Sequence, residues 1–145
     1  MTEEIKSNFV NNYFSEEGLN YSLVRLPIGN CDFSKKLYSY SKKADLSDFS
    51  IKQDNEDIIP MLKDITKLKN VEIFSTPWSP PKFMKNNKML KHGGRLIGRY
   101  RQNFADYFVK YIKAYLNEGF KINYITIQNE PDASQSWESC LYDSN

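Results

Sequence analysis

Asn129 and Glu130 stand directly ahead of Pro131, closing the run Ile122-Asn-Tyr-Ile-Thr-Ile-Gln128. That run is rich in β-branched and aromatic residues and reads as a strand. Pro131 cannot donate to a ladder and biases Glu130 away from helix, so the strand stops there. A carboxyl group at the C-terminal tip of a buried strand sits where βα barrels carry out their chemistry. Glu130 is the first candidate catalytic group, and its plainer reading is a surface glutamate that precedes a proline. Arg25 is the second informative residue, because it interrupts the apolar run Ser22–Ile28. Val24 and Leu26, out of phase with it, would face the helices, so Arg25 should point to the other side, into a barrel. A buried guanidinium there needs a carboxylate partner.

Metal chemistry has little to build on. His92 is the only histidine, and Cys31 and Cys140 lie far apart without a CxxC spacing. The two cysteines read as free buried thiols in preference to a disulfide.

The elements that position these residues follow from periodicity. Residues 2–17 carry Ile5, Phe9, Val10, Tyr13 and Phe14 on one helical face, with Glu3 and Glu4 at the positive end and Gly18 able to stop it. Ser22–Ile28 is a strand. The polar stretch 34–53 is a surface excursion. Asp54 or Asn55 is expected to cap a second helix bearing Ile58, Ile59, Leu62, Ile65 and Leu68, with Pro60 near its first turn delaying the regular start. Val71–Thr76 is the second strand, and the prolines around Trp78 turn the chain away from it. The third helix has the cleanest pattern: Tyr100, Phe104, Tyr107, Phe108, Tyr111, Ile112, Tyr115 and Leu116, closed by Gly119. Ile122–Gln128 is the third strand. Strands that begin about 50 residues apart and alternate with amphipathic helices imply βαβ units and a parallel sheet.

Three parallel strands do not close a barrel, which takes eight strands and roughly 250 residues. They would leave two open edges. Asp143 or Ser144 could cap a further helix that the sequence does not contain. Residues 1–145 are therefore expected to be a fragment of a larger barrel. By length alone 145 residues make one domain, and 40% hydrophobic content is ample for a core. A net charge of +2 is too small to imply a nucleic-acid or membrane partner. No apolar run approaches the ~20 residues of a membrane span, and the N-terminus lacks the profile of a signal peptide, so localisation is not legible.

Four ordered blocks carry a resemblance: Arg25-Leu-Pro-Ile28, Asn30-Cys-Asp-Phe-Ser34, Thr76-Pro-Trp-Ser-Pro-Pro81 and Asn129-Glu-Pro131. Together with Trp137–Tyr142, the chain resembles glycoside hydrolase family 30, which includes the glucosylceramidases (acid β-glucosidases). The resemblance implies an α/β fold, a partial (β/α)8 TIM barrel of about three βα units, corresponding to barrel strands two to four. It implies retaining hydrolysis of β-glycosidic bonds without a cofactor, with Glu130 as general acid/base, protonated at rest through partial burial and a neighbouring charge. The second catalytic glutamate, the nucleophile, is not in this chain, so the 145 residues alone are expected to be inactive.

By the same resemblance Asn129 bonds the sugar 2-hydroxyl, Asp32 binds glucose hydroxyls, Trp78 lines the sugar subsite, and Arg25 supports the nucleophile. Plainer roles stand beside each: strand capping for Asn129, turn formation for Asp32, core packing for Trp78, a structural salt bridge for Arg25. Trp137 could line the same mouth or fill its loop. Neighbours in a regular strand point to opposite faces, so Asn129 and Glu130 can share one sugar only if the pleating breaks near Gln128.

The implied partner is a β-glucoside or glucosylceramide-type substrate, with the remaining barrel strands supplied in cis or by another chain. No nucleic-acid partner is expected. The loop Lys82–Arg101 holds seven Lys or Arg residues and no acid. It is a solvated loop or, more sharply, a contact for an anionic lipid surface or polymer. The alternative to an enzyme is a non-catalytic half-barrel that binds sugar or pairs with a complementary chain, and a relic of a truncated gene is the blandest reading.

Overall fold

A computed structural model describes residues 2–142. In chain order they form helix α1 (Glu3–Phe14), strand β1 (Leu23–Pro27), helix α2 (Ile58–Leu68), strand β2 (Glu72–Thr76), helix α3 (Arg101–Asn117) and strand β3 (Tyr124–Ile125). The sheet order is β1-β2-β3, and both pairings are parallel. Leu23 lies opposite Glu72 and Pro27 opposite Thr76, while Phe74 and Ser75 meet Tyr124 and Ile125. Parallel neighbours joined through helices give the topology of a partial (β/α)8 barrel, as the alternating pattern predicts.

The core lies between the sheet and the helices. Leu26, Ile28 and Ile73 from the sheet region pack with Ile59 and Leu62 of α2 and with Phe104, Tyr107, Tyr111 and Tyr115 of α3. The α3 residues recur at i, i+3, i+7 and i+11, which keeps their rings on one stripe. Gly119, at φ +92°, closes this helix, and Phe120 N–H bonds back to the Tyr115 carbonyl at 2.9 Å. A left-handed residue here releases the chain from the helix axis at low cost because it is glycine.

Several boundaries differ from the sequence-based expectation, for local reasons. Helix α1 ends at Phe14, with Ser15 as its cap, and only Val10 and Phe14 of its apolar face are buried, against Ile65 of α2. Ile5, Phe9 and Tyr13 stay exposed. The α2 cap is Asp57, whose carboxylate accepts from Ile58 N–H at 2.8 Å; it is neither Asp54 nor Asn55. Pro60 sits in the first turn without delaying it, since an N–H there has no intrahelical acceptor to lose.

Displaced from the cap, Asp54 lies in a 3-10 turn (Lys52–Glu56) and is fully buried. Its carboxylate accepts from Tyr38 at 2.9 Å, Tyr40 at 2.6 Å and Tyr115 at 2.7 Å. This ties the loop after β1 to helix α3.

The third strand is shorter than expected: its ladder covers only Tyr124 and Ile125, which are 51% and 40% exposed, and it forms one of the two open edges expected of three parallel strands. Asn123 begins the pairing irregularly, because its side-chain Oδ1 accepts the Ile73 N–H at 3.0 Å. Beyond Ile125 the chain still follows β2: Thr126 N–H reaches the Ser75 carbonyl at 3.0 Å and Asn129 N–H the Pro77 carbonyl at 2.8 Å. The helix cap expected at Asp143 or Ser144 lies outside the described residues. Cys31 and Cys140 are both free thiols, Cys140 buried and Cys31 only half-buried.

Candidate active site

Arg25 lies in the middle of β1, while Trp78 and Asn129 follow the C-terminal ends of β2 and β3, and the three meet on the sheet face turned away from the helices. Arg25 shows why. Its neighbour Leu26 is buried in the helix-side core, and period-two alternation sends Arg25 to the other face. There its guanidinium donates to Asn129 Oδ1 at 2.6 Å and lies over the Trp78 ring at 4.7 Å from the centroid. Phe74, two residues before Thr76 on the same face, adds a second ring at 5.8 Å. The structure thus joins Arg25 of β1 with Trp78 and Asn129, which follow β2 and β3.

Arg25 is exposed, and its hydrogen-bond partner among the described residues is the Asn129 amide; the carboxylate expected to meet it is assigned to a residue outside this chain. The guanidinium also occupies one face of the Trp78 ring, so a sugar stacking on that indole would use the other face. Among the described residues the indole N–H has no acceptor, which leaves it able to donate to a hydroxyl. Arg25→Ala should cost only about 1 kcal/mol in stability, since the exposed cation–π contact and one charged hydrogen bond are all it removes. It should nonetheless shift Trp78 emission, which tryptophan fluorescence would read directly.

Glu130 follows Asn129 with φ +47°, left-handed backbone that a non-glycine residue adopts rarely and at a cost of about 1 kcal/mol or more. Regular pleating therefore ends before Glu130, which is the departure that two neighbouring side chains need to serve one ligand. Its carboxylate is exposed and makes no hydrogen bond within the described residues. The partial burial expected of an acid protonated at rest is not supplied by this part of the chain. Asp32, in the loop after β1, is likewise exposed and makes no hydrogen bond or ion pair with the cluster. Trp137 is half-buried and enters the loop network through its carbonyl, which accepts from Ser139 at 3.2 Å.

Sequence reasoning missed the residues that hold this end of the sheet together. Gln128, 7% exposed, donates its amide to the carbonyls of Trp78 (2.7 Å) and Asn129 (2.8 Å), so it sets both candidates at once. Its Oε1 is buried without a partner among the described residues. Asn30 bonds the buried Glu138 at 2.5 Å and links the loops after β1 and β3. Lys85, fully buried, donates to Ser79 Oγ (3.0 Å) and to the carbonyls of Leu90 (3.1 Å) and Ser139 (2.6 Å). Burial pushes its ammonium down to about 8, while Cys140 and Glu138 push the other way. A lysine in a loop of seven basic residues carries no signal that it alone faces inward. For Gln128, the one usable signal is its place directly ahead of Asn129. Among the described residues no group of three or more His, Cys, Asp or Glu is arranged to hold a metal ion.

Fold and site together define a segment of a (β/α)8 barrel with its candidate residues at the C-terminal strand ends. Residues 1–141 match the glycosyl hydrolase family 30 TIM-barrel domain, and the chain belongs to that family. It is 36% identical to "Putative glucosylceramidase 3" of Caenorhabditis elegans over 98% of this chain and 30% of that protein. Among solved structures it resembles SrfJ from Salmonella typhimurium (TM-score 0.90, 35% identity, 99% of this chain and 33% of that one). It also resembles the endo-β1,6-glucanase BT3312 (TM-score 0.86, 31% identity, 99% of this chain and 34% of that one). The chain thus spans about a third of the length of these relatives.

Proposed function

We propose that these residues are the acid/base-bearing segment of a retaining β-glycosidase, acting on a β-glucoside of the glucosylceramide type. The observation that carries this reading is the meeting of Arg25, Trp78 and Asn129 directly beside Glu130, at strand ends where a parallel barrel exposes its reactive groups. In this reading Glu130 protonates the leaving glycosidic oxygen and later deprotonates the water that releases the sugar. Asn129 holds the 2-hydroxyl, and Trp78 supports the pyranose. Retaining hydrolysis requires a second carboxyl group ~5–5.5 Å from the first. That group is assigned to barrel strands beyond β3, whose approach would also bury Glu130 and raise its proton affinity. Arg25, already on this face, is placed to meet the incoming carboxylate.

Likeness to an endo-β1,6-glucanase favours a second substrate, a β1,6-linked glucan, on the same machinery. The test compares hydrolysis of glucosylceramide in micelles with that of a β1,6-linked gluco-oligosaccharide, using a polypeptide in which further barrel strands follow this segment. Proton NMR of the first-formed sugar reads the stereochemistry. Retention is expected, with faster turnover of the glucosylceramide. Inversion would overturn the mechanism, and preference for the glucan would reassign the substrate. The 145-residue chain alone should not turn over an activated aryl β-glucoside; if it does, the carboxylate assignment is wrong.

A further inference from the structure

The hydrogen bonds that lead into Asn129 step unevenly. In a parallel ladder both chains advance two residues between successive bonds of one kind. Here Thr126 N–H reaches the Ser75 carbonyl at 3.0 Å, and Asn129 N–H reaches the Pro77 carbonyl at 2.8 Å. The chain leaving β3 has advanced three residues while the chain leaving β2 advanced two. The extra residue, at Ile127–Gln128, makes a β-bulge, which re-aims the side chains that follow it. Tyr124 lies opposite Phe74 and Phe74 opposite Arg25, so these three share a face. Ile125 lies opposite Ser75, whose Oγ meets the Tyr111 hydroxyl of α3 on the helix side. Unbroken alternation would send Asn129 to that helix side with Ile125. The bulge reverses the parity, and Asn129 Oδ1 accepts from Arg25 instead.

Gln128 sits in this bulge and pins it. Its buried Nε2 donates to the Trp78 carbonyl at 2.7 Å and to the Asn129 carbonyl at 2.8 Å. Both acceptors are oxygens, so the amide has one workable orientation; the flipped one would set Oε1 against two carbonyls. The Asn129 carbonyl belongs to the peptide that enters Glu130. Holding it fixes the plane from which the left-handed Glu130 departs. Ala133 N–H closes the turn on the Glu130 carbonyl at 3.0 Å. Oε1 is buried without a partner among the described residues, a desolvation cost that an apolar side chain of this length would avoid.

We propose that Gln128 is a positioning residue of the reaction: by pinning the bulge it turns Asn129 toward the sugar 2-hydroxyl and Glu130 toward the leaving oxygen. This inference rests on the roles given above to those two residues. Gln128 itself touches no substrate, and its effect is carried through its neighbours. A hydrogen bond to the 2-hydroxyl strengthens in the transition state. Displacing Asn129 therefore lowers kcat more than it raises KM.

The test uses the polypeptide that carries further barrel strands, an aryl β-glucoside with a good leaving group, and its 2-deoxy counterpart. In the parent, loss of the 2-hydroxyl should lower kcat/KM by about a hundredfold or more, because contacts to that group grow in the transition state. Gln128→Met keeps the side-chain length and has no donor. Its ratio between the two substrates should fall to about tenfold or less, with kcat on the glucoside down about 10- to 100-fold and KM changed less than about threefold. Gln128→Asn, whose amide is one methylene too short to span both carbonyls, should lower the ratio as well. Urea midpoints of the same polypeptides separate lost positioning from lost folding. An unchanged ratio in either folded variant, with both substrates slowed alike, would overturn the proposal and leave Gln128 a structural residue. Failure of both variants to fold would overturn it too. A parent that does not discriminate between the substrates would instead remove the role given to Asn129, and this inference with it.

Discussion

Glu130→Gln is expected to lower kcat of the completed enzyme on an unactivated β-glucoside by about 10²- to 10⁴-fold, the range that a positioned proton donor contributes. The amide is nearly isosteric with the acid and can still occupy the left-handed position after Asn129, so folding should be unchanged. What it cannot do is give up a proton to the departing oxygen. An aryl glucoside with a good leaving group needs little of that assistance, so its first step should survive. Its second step, which needs Glu130 as base, should then limit the rate. Azide, a nucleophile requiring no deprotonation, should restore turnover of the aryl substrate and leave a β-glycosyl azide detectable by mass spectrometry. Full activity of Glu130→Gln on the unactivated substrate, without azide, would remove Glu130 from the mechanism.

Asp54→Ala should be the most damaging single substitution for stability, at about 3 kcal/mol or more. It would strand the hydroxyls of Tyr38, Tyr40 and Tyr115, and each buried donor left without a partner costs ~1–3 kcal/mol. Asp54→Asn should cost less, roughly 1–2 kcal/mol, because Tyr40 and Tyr115 share one oxygen that an amide can retain while only the Tyr38 bond is lost.

The same pair reports on pH. Burial raises the proton affinity of Asp54 above its ordinary value of 3.8, although hydrogen bonds from Tyr40, Tyr115 and Tyr38 oppose this. A raised folded-state pKa means that the folded chain binds this proton more tightly than the unfolded chain does. The resulting stabilisation is complete below 3.8 and is lost as pH rises through the folded-state value. The stability advantage of the parent chain over Asp54→Asn should therefore shrink as pH is raised from about 4, and level off above the folded-state pKa. Urea unfolding at a series of pH values measures this, and parallel profiles would show that Asp54 titrates alike in both states.

How much of this was legible in the chain differs by residue. The partial barrel and the family were both readable, because each rests on local signals. Period-two and period-3.6 patterns report burial one element at a time, and four ordered motifs survive in unbroken spacing. Arg25 could be assigned to the face opposite Leu26 from alternation alone, and the structure puts it there. Asp54 could not be separated from Asp57 in the same way. Either residue can cap a helix, and the choice fell to a 3-10 turn that carried Asp54 inward beneath the tyrosines of α3 and the loop after β1.

By itself the sequence determined which segments form strands and helices, their parallel order, and the set of side chains at the strand ends, since backbone sterics and apolar spacing act over a few residues. Only the tertiary structure decided the rest. It paired Arg25 with Asn129, 104 positions away, and turned Lys85 and Gln128 inward as clamps between loops. Each of those outcomes depends on which distant groups can satisfy a buried or half-buried polar atom, and no local pattern encodes that.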